Sequence, residues 1–226
     1  MKDTYEGLET LNDDYFAKAA LRDGFYRNYG KRAFDLTIAV ILFPILAPVI
    51  GVLWLLARCD GGPGFFGHNR VGKGGSAFRC WKIRTMVDGA EQKLQAYLES
   101  NPSAAAEWAL DQKLTDDPRV TRLGAFLRKT SLDELPQIWN VLTGEMSFVG
   151  PRPIVRDELA KYGVSIGAYL EQKPGITGLW QVSGRNDVSY STRVQLDVEY
   201  NKRKSLASDV RLILLTGWAI VGVTGR

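Results

Sequence analysis

Between Leu36 and Ala57 the chain carries no charged residue over 22 positions. A helix of that length reaches across a hydrocarbon layer of about 30 Å, so a straight membrane span is the default reading. Three features count against it. Pro44 and Pro48 lie mid-run, where each removes a backbone hydrogen bond and kinks a helix. Basic residues flank both ends, Arg27, Lys31 and Arg32 before the run and Arg58, Arg70 and Lys73 after it. Positive flanks prefer the cytoplasmic side, so both ends ask for the same side. Asp35 stands at the entry, where an interfacial position costs a carboxylate least. A bent, re-entrant helix that dips into one leaflet satisfies all three. The run is no secretory signal: it starts too late, and no small-residue cleavage site follows.

The remainder is polar enough to fold in water. Charged residues are 24% of the 226, the net charge is +4 and the pI is near 9.0. That excess suits an anionic partner such as a membrane surface or a nucleotide. It is too dilute for a nucleic-acid binder, because the basic residues alternate with glycines. A single histidine, His68, excludes His-rich metal sites and Ser-His-Asp chemistry. Cys59 and Cys80 have no metal-type spacing and fit a reducing compartment. Any catalysis must come from carboxylates, arginines and lysines.

The stretch Thr130–Pro153, TSLDELPQIWNVLTGEMSFVGPRP, concentrates those groups. Asp133 and Glu134 stand side by side, with Arg128 and Lys129 before them and Arg152 after. Two readings stay open. In one, Ser131 is an N-cap, Glu134 closes a capping box, and Leu135, Ile138, Trp139 and Leu142 form the apolar face of the helix that follows. In the other, Asp133 is an ionised nucleophile among arginines and Glu134 holds a divalent metal.

Elsewhere the pattern gives scaffold. Asp13 and Asp14 start a short interfacial helix reaching about Tyr29. The glycine-rich run from Asp60 to Gly75 reads as a flexible turn and matches no phosphate-loop motif. Residues 77–86 alternate as a strand, with Phe78, Cys80, Trp81 and Ile83 inward and Arg79, Lys82 and Arg84 outward. Asp88–Ser100 reads as a capped amphipathic helix with Leu94 on its apolar face. Residues 103–113 form a second helix and residues 121–129 a third that feeds the acidic pair. Gly178–Arg185 is a loop with an exposed Trp180, and Leu206–Val223 an amphipathic helix on the membrane surface, its charges Asp209 and Arg211 notwithstanding.

The runs KRAFD, NRVGKGG, KIRTM, DDPRVTRLGAFLRKTSLDELPQIWNVLTGEMSFVGPRP and PGITGLWQVSGR together resemble the bacterial sugar transferases, the monotopic polyprenyl-phosphate phosphoglycosyl transferases. The resemblance runs from about Lys31 to the C-terminus. SGRNDVSY and the short chain resemble the exopolysaccharide-type galactose-1-phosphate transferases within that family. One departure is Ala47-Pro48, where the family often has Ser-Pro at the bend of its membrane helix.

The resemblance implies an α+β, mostly helical monotopic protein on the cytoplasmic face of the bacterial inner membrane. Residues 1–30 would be a polar tail with an interfacial helix, 31–58 the re-entrant helix broken at Pro44 and Pro48, and 59–226 the catalytic domain. It implies transfer of a sugar-1-phosphate from a UDP-sugar to undecaprenyl phosphate with release of UMP, Asp133 carrying the phosphosugar covalently. Glu134 would hold Mg²⁺, Arg128, Arg152, Lys82 and Arg84 the phosphates, and Gln181 and Arg185 the nucleotide or sugar. Implied partners are membrane lipid, a second copy in a homodimer and the glycosyltransferases acting next. The alternative is an inactive membrane-bound scaffold of the same fold.

Overall fold

The computed structural model describes residues 24–59, 61–111, 113–183 and 189–221. The chain forms two compact units, each built from separated stretches. The first comprises residues up to Pro44, Gly67–Trp81 and Gln137 onward; the second comprises Ile45–Phe66 and Lys82–Pro136. The expected helix from Asp13 falls largely outside the described residues, which enter at Gly24 and form a π-helical turn at Tyr26–Gly30.

Helix α1 (Lys31–Arg58) carries the apolar run and continues through Pro44 and Pro48 rather than stopping at either. The expected break is therefore no interruption of helical structure, although the boundary between the units falls directly after Pro44. With the turn before it, α1 is a 33-residue helix whose most apolar 18-residue window has mean hydropathy 2.7 and is only 11% buried. Val40, Ile41, Ile45, Val52 and Leu55 all stand more than half exposed. That surface is the helix's claim on lipid.

Each half of α1 is tied to folded chain. In the first unit Arg32 donates to the carbonyls of Val141 and Leu142 at 2.6 and 2.9 Å. Asp35 was expected at the lipid interface and is instead buried at 1% exposure. It accepts from the Ser147 hydroxyl at 3.0 Å and the Phe148 N–H at 3.1 Å. A carboxylate so placed must be paired to be tolerated. In the second unit Leu53 and Ala57 pack with Ile83 and Leu127.

Strands β1 (Phe65–Val71) and β2 (Ala77–Ile83) pair as a hairpin, its tip in the first unit and its base in the second. Part of the run expected as a flexible turn is thus a strand; the aromatic and β-branched residues of FFGHNRV outweigh its one glycine. On β2, Phe78, Cys80 and Ile83 are buried as expected. Arg84 is not outward: it is 8% exposed and donates to the carbonyls of Ala57 (2.7 Å), Pro63 (2.6 Å) and Met86 (3.1 Å). It satisfies a last-turn carbonyl of α1, where a cation also complements the helix dipole. Gly62 is required beside it, because a Cβ there would lie 2.5 Å from the guanidinium carbon.

The second unit continues with α2 (Ala90–Ser100), α3 (Pro102–Asp111) and α4 (Arg122–Thr130). Asp88 does not cap α2; left-handed Gly89 stands at the cap position without a side-chain bond. In the first unit α5 (Gln137–Thr143) is followed by β3 (Ser147–Val149), which lies parallel to β4 (Gly175–Thr177). Around this pair stand α6 (Ile166–Leu170), α7 (Leu179–Val182), α8 (Tyr190–Arg203) and α9 (Leu206–Val221). Tyr162, Ile166, Tyr169 and Val194 form one core, and Val149, Tyr200 and Leu212 another. α9 exposes Leu214 and Trp218 at 68% and 81%, which suits the expected surface helix. Asp209 is not on its polar face, being fully buried against Lys31 Nζ (2.7 Å), Tyr26 Oη (2.6 Å) and Tyr200 Oη (2.7 Å).

Two outcomes test this packing. Arg84→Met should leave three carbonyls without their donor, each costing about 1–3 kcal/mol if buried. We expect a loss of about 2–4 kcal/mol in thermal unfolding, with Arg84→Lys recovering only part; an unchanged melting temperature would refute the anchoring role. Asp197 supplies the pH test. Burial pushes its carboxyl up to about 7 despite the Tyr162 hydroxyl donating to it at 2.8 Å. The native state therefore holds a proton that the unfolded chain has released above about pH 4. Stability should fall as pH rises from about 4 to 7, by up to about 1.4 kcal/mol per pH unit. Asp197→Asn should remove that slope in melts taken across the window.

Candidate active site

The acidic pair is built from the end of β2, helix α4 and the turn after it, all within the second unit. Helix α4 starts at Thr121, whose hydroxyl accepts from the Gly124 N–H at 2.8 Å. Gly124 lies against the backbone of Thr85, where a Cβ would come within 2.0 Å of the carbonyl oxygen. Only glycine lets α4 approach the β2 exit this closely. That approach brings Arg128 Nε to Thr85 Oγ1 at 2.9 Å.

Ser131 ends α4 in a left-handed conformation at φ 57°, the only non-glycine residue with positive φ among the described residues. Its N–H bonds back to the Arg128 carbonyl at 3.3 Å. The capping-box reading is thus corrected. Ser131 terminates one helix instead of starting the next, and its side chain caps nothing. The reversal throws Leu132–Glu134 into a 3₁₀ turn, and α5 begins only after Pro136. A positive φ at a non-glycine residue stores strain, and such positions cluster where a side chain must be aimed.

The turn aims the two carboxylates differently. Asp133 is 6% exposed, whereas the Glu134 side chain is 38% exposed. Lys82, from β2, puts its ammonium 2.6 Å from Glu134 Oε1 and 3.7 Å from Asp133 Oδ2. Burial is the largest influence on Asp133 and pushes its carboxyl above the usual carboxylate range. The Lys82 charge opposes this, Glu134 adds to it, and Arg128 opposes it again. The result is a desolvated carboxyl whose upward shift two cations oppose, flanked by a second, wetter carboxylate. Desolvation and fixed charge together mark a reactive group. Of the expected phosphate ligands, Lys82 and Arg128 are gathered here; Arg84, spent on carbonyls, is not offered to a substrate.

The remaining expected residues belong to the first unit. Arg152 lies 6.0 Å from the centre of the Trp180 ring and Arg193 lies 4.7 Å from it. Trp180 was expected to be exposed but is 7% exposed, because residues 179–182 form a helical turn and not a loop. Gln181 is beside it; Arg185 lies outside the described residues. Trp180 Nε1, Gln181 Oε1, Tyr190 Oη and Arg193 Nε are buried without a hydrogen-bond partner among the described residues. Unmet buried polar atoms are costly, so this cluster is suited to a polar ligand or ordered water. Arg193, Tyr190 and Thr85 were missed by sequence reasoning: none sits in a motif, and only the fold assembles them.

Lys82→Met provides a direct test. Removing the cation takes away the largest influence that opposes burial, so the Asp133 carboxyl should rise further. Titration of the carboxylate by isotope-edited infrared spectroscopy would show it, and Lys82→Arg should restore the original value. An unmoved titration would mean that Lys82 serves Glu134 alone.

Comparison with known proteins agrees with this geometry. The family model for bacterial sugar transferase matches residues 26–223. The chain is 49% identical over 191 residues to the undecaprenyl-phosphate galactose phosphotransferase of Salmonella typhimurium, covering 84% of this chain and 40% of that protein. It is 50% identical over 187 residues to the exopolysaccharide production protein ExoY of Sinorhizobium fredii, covering 82% and 83%. Identity is 36% to the UDP-glucose:undecaprenyl-phosphate glucose-1-phosphate transferase of Escherichia coli, covering 82% and 39%. The chain thus spans about two fifths of the longer relatives and most of the length of ExoY. A match over nearly the whole chain, together with Asp133 and Glu134 presented on one strained turn, makes this protein a member of the bacterial sugar transferase family.

Proposed function

We propose that this protein transfers galactose-1-phosphate from UDP-galactose to undecaprenyl phosphate, releasing UMP, as a membrane step of exopolysaccharide synthesis. The observation that carries the reading is the buried Asp133 with Lys82 at 3.7 Å and the exposed Glu134 on the same turn. The name of the Salmonella typhimurium relative, at 49% identity, supplies the galactose and the lipid acceptor, against 36% for the glucose-named relative, and ExoY's name supplies exopolysaccharide production.

An Asp133 carboxylate oxygen attacks the sugar-bearing phosphorus. A new O–P bond forms, the bond from that phosphorus to the oxygen bridging the two phosphates breaks, and UMP leaves with that oxygen. An oxygen of the lipid phosphate then attacks the same phosphorus and frees Asp133. Both substrates are anions, so carboxylate attack depends on charge neutralisation. Lys82 and Arg128 supply it on the Asp133 side, and Arg128 adds a planar fork for phosphate oxygens. Arg152, Gln181 and Arg185 are the further residues proposed to hold the phosphates and the nucleotide or sugar.

Among the described residues no three His, Cys, Asp or Glu side chains cluster as a metal site. That suits magnesium, which takes one or two carboxylates and completes its shell with water and substrate phosphates. Glu134, half-exposed and next to Asp133, is the carboxylate that would hold it. When bound, Mg²⁺ would neutralise the diphosphate and the departing UMP.

The membrane geometry follows from α1. Its first half is hydrogen-bonded to one folded unit and its second half packs into the other, while its middle exposes apolar side chains. Basic residues flank both of its ends, and positive flanks favour the cytoplasmic side. This supports a re-entrant helix at the cytoplasmic face of the inner membrane. There a soluble nucleotide sugar meets a lipid phosphate, and glycosyltransferases can extend the product.

The decisive experiment seeks the intermediate. Enzyme incubated with UDP-galactose, magnesium and no lipid should gain one hexose phosphate on the peptide carrying Asp133, and lose it when undecaprenyl phosphate is added. Asp133→Asn should form no adduct and lose turnover while melting as wild type does. Glu134→Gln should keep its fold and lose magnesium dependence and most of its rate. Turnover with no adduct on rapid quenching would refute the covalent route. For topology, cysteines introduced near residues 10 and 70 should both resist an impermeant reagent applied to intact cells; labelling at residue 10 alone would mean a full span.

A further inference from the structure

Within the second unit a cavity of about 610 Å³ opens beside α4. We propose that it seats the nucleoside end of the donor, so that the leaving UMP is held along the N-terminal half of α4. This rests on the transfer reaction proposed above.

Location is the first argument. The cavity is lined by Arg122, Ala125 and Arg128 from α4. Arg128 is the same residue whose charge acts on Asp133 at the other end of the helix. Its charge also acts on Asp117, a lining residue on the cavity side. One arginine thus joins the reacting carboxylate to the cavity. Displacement at phosphorus places the leaving group opposite the nucleophile, roughly in line with it. With Asp133 beyond the C-terminal end of α4 and Arg128 on the phosphates, the departing nucleotide extends toward the N-terminal end. Arg122 and Arg128 are six residues apart, about 9 Å along the helix axis.

Chemistry is the second. The free N–H groups of α4's first turn give that end partial positive charge. Arg122 adds a full charge, Asp116 offers a carboxylate to a ribose diol, and Thr115, whose hydroxyl donates to Glu107 at 2.6 Å, is held with its oxygen able to accept. The far wall is rigid. Arg119 donates to both oxygens of Asp117, at 2.9 and 2.7 Å, and its guanidinium lies 5.0 Å from the Trp108 ring centre. A lining that joins Lys113, Arg122 and Arg128 to a fixed Asp117–Arg119 pair suits a polar small molecule carrying phosphate.

The test uses the full chain in detergent with UMP and galactose-1-phosphate as separate probes. Ala125→Trp fills the cavity from an exposed helix position. It should weaken UMP binding at least tenfold by calorimetry and raise the donor KM by a similar factor. Competition by galactose-1-phosphate and the KM for lipid phosphate should stay within twofold. Arg122→Gln, also at an exposed position, should weaken UMP several-fold and flatten its salt dependence; it carries the comparison if Ala125→Trp does not fold. Wild-type UMP affinity in a folded Ala125→Trp protein would overturn the proposal. So would weakened galactose-1-phosphate with unchanged UMP, which would put the sugar end in the cavity. Failure of the transfer reaction would show separately, as no UMP released by wild type from donor and lipid phosphate.

Discussion

An apolar helix exposed along its middle can belong to a folded protein only if its ends are held. In this chain the holding is polar. Arg32 binds the first half of α1 to carbonyls of α5, and Asp35 binds it to the Ser147 hydroxyl and the Phe148 N–H of β3. Arg84 binds the last turn through the Ala57 carbonyl. Every one of these contacts satisfies a group that would be expensive to leave unpaired away from water. Lys82, at the end of β2, and Arg84, just beyond it, are two positions apart, so the residue closing the apolar helix and the residue pairing with the acidic turn are placed by the same short stretch of chain.

The site shows how a fold prepares charge for a reaction between anions. Asp133 is buried enough that its carboxyl titrates above the ordinary range, and Lys82 and Arg128 pull it back toward ionisation. A carboxylate stripped of water and balanced by fixed cations is more reactive than one in bulk solvent, provided the cations stay in place. Gly124 fixes Arg128 by letting α4 close on Thr85, and the left-handed Ser131 fixes the direction in which Asp133 leaves the helix. Glu134, on the outside of the same turn, stays wetter and pairs with Lys82 at 2.6 Å. The strain at Ser131 is then part of the site, offset by the packing of Leu127, Leu132 and Leu135 in the adjacent core.

The amino-acid sequence alone determined the apolar run with its paired basic flanks, the amphipathic helices, the inward residues of β2 and the acidic pair between arginines. These are local facts: charge, hydrophobicity and spacing are written directly in neighbouring residues. The resemblance carried by KRAFD, the long DDPRV…GPRP run and PGITGLWQVSGR added the family. The sequence could not say whether Arg84 faced solvent or a carbonyl, because strand alternation counts side chains and takes no account of an unsatisfied helix end nearby. It could not rule a capping box in or out, since Ser131 to Glu134 fits the pattern; the left-handed backbone at Ser131, whose side chain caps nothing, ruled it out. Asp35 and Asp209 looked like interfacial charges and are buried partners of residues more than a hundred positions away. Tertiary structure alone made those pairings, gathered Arg193 and Tyr190 around Trp180, and opened the cavity beside Arg128. The reason is physical: such groups are brought together by packing across long loops, and sequence spacing carries no record of that distance.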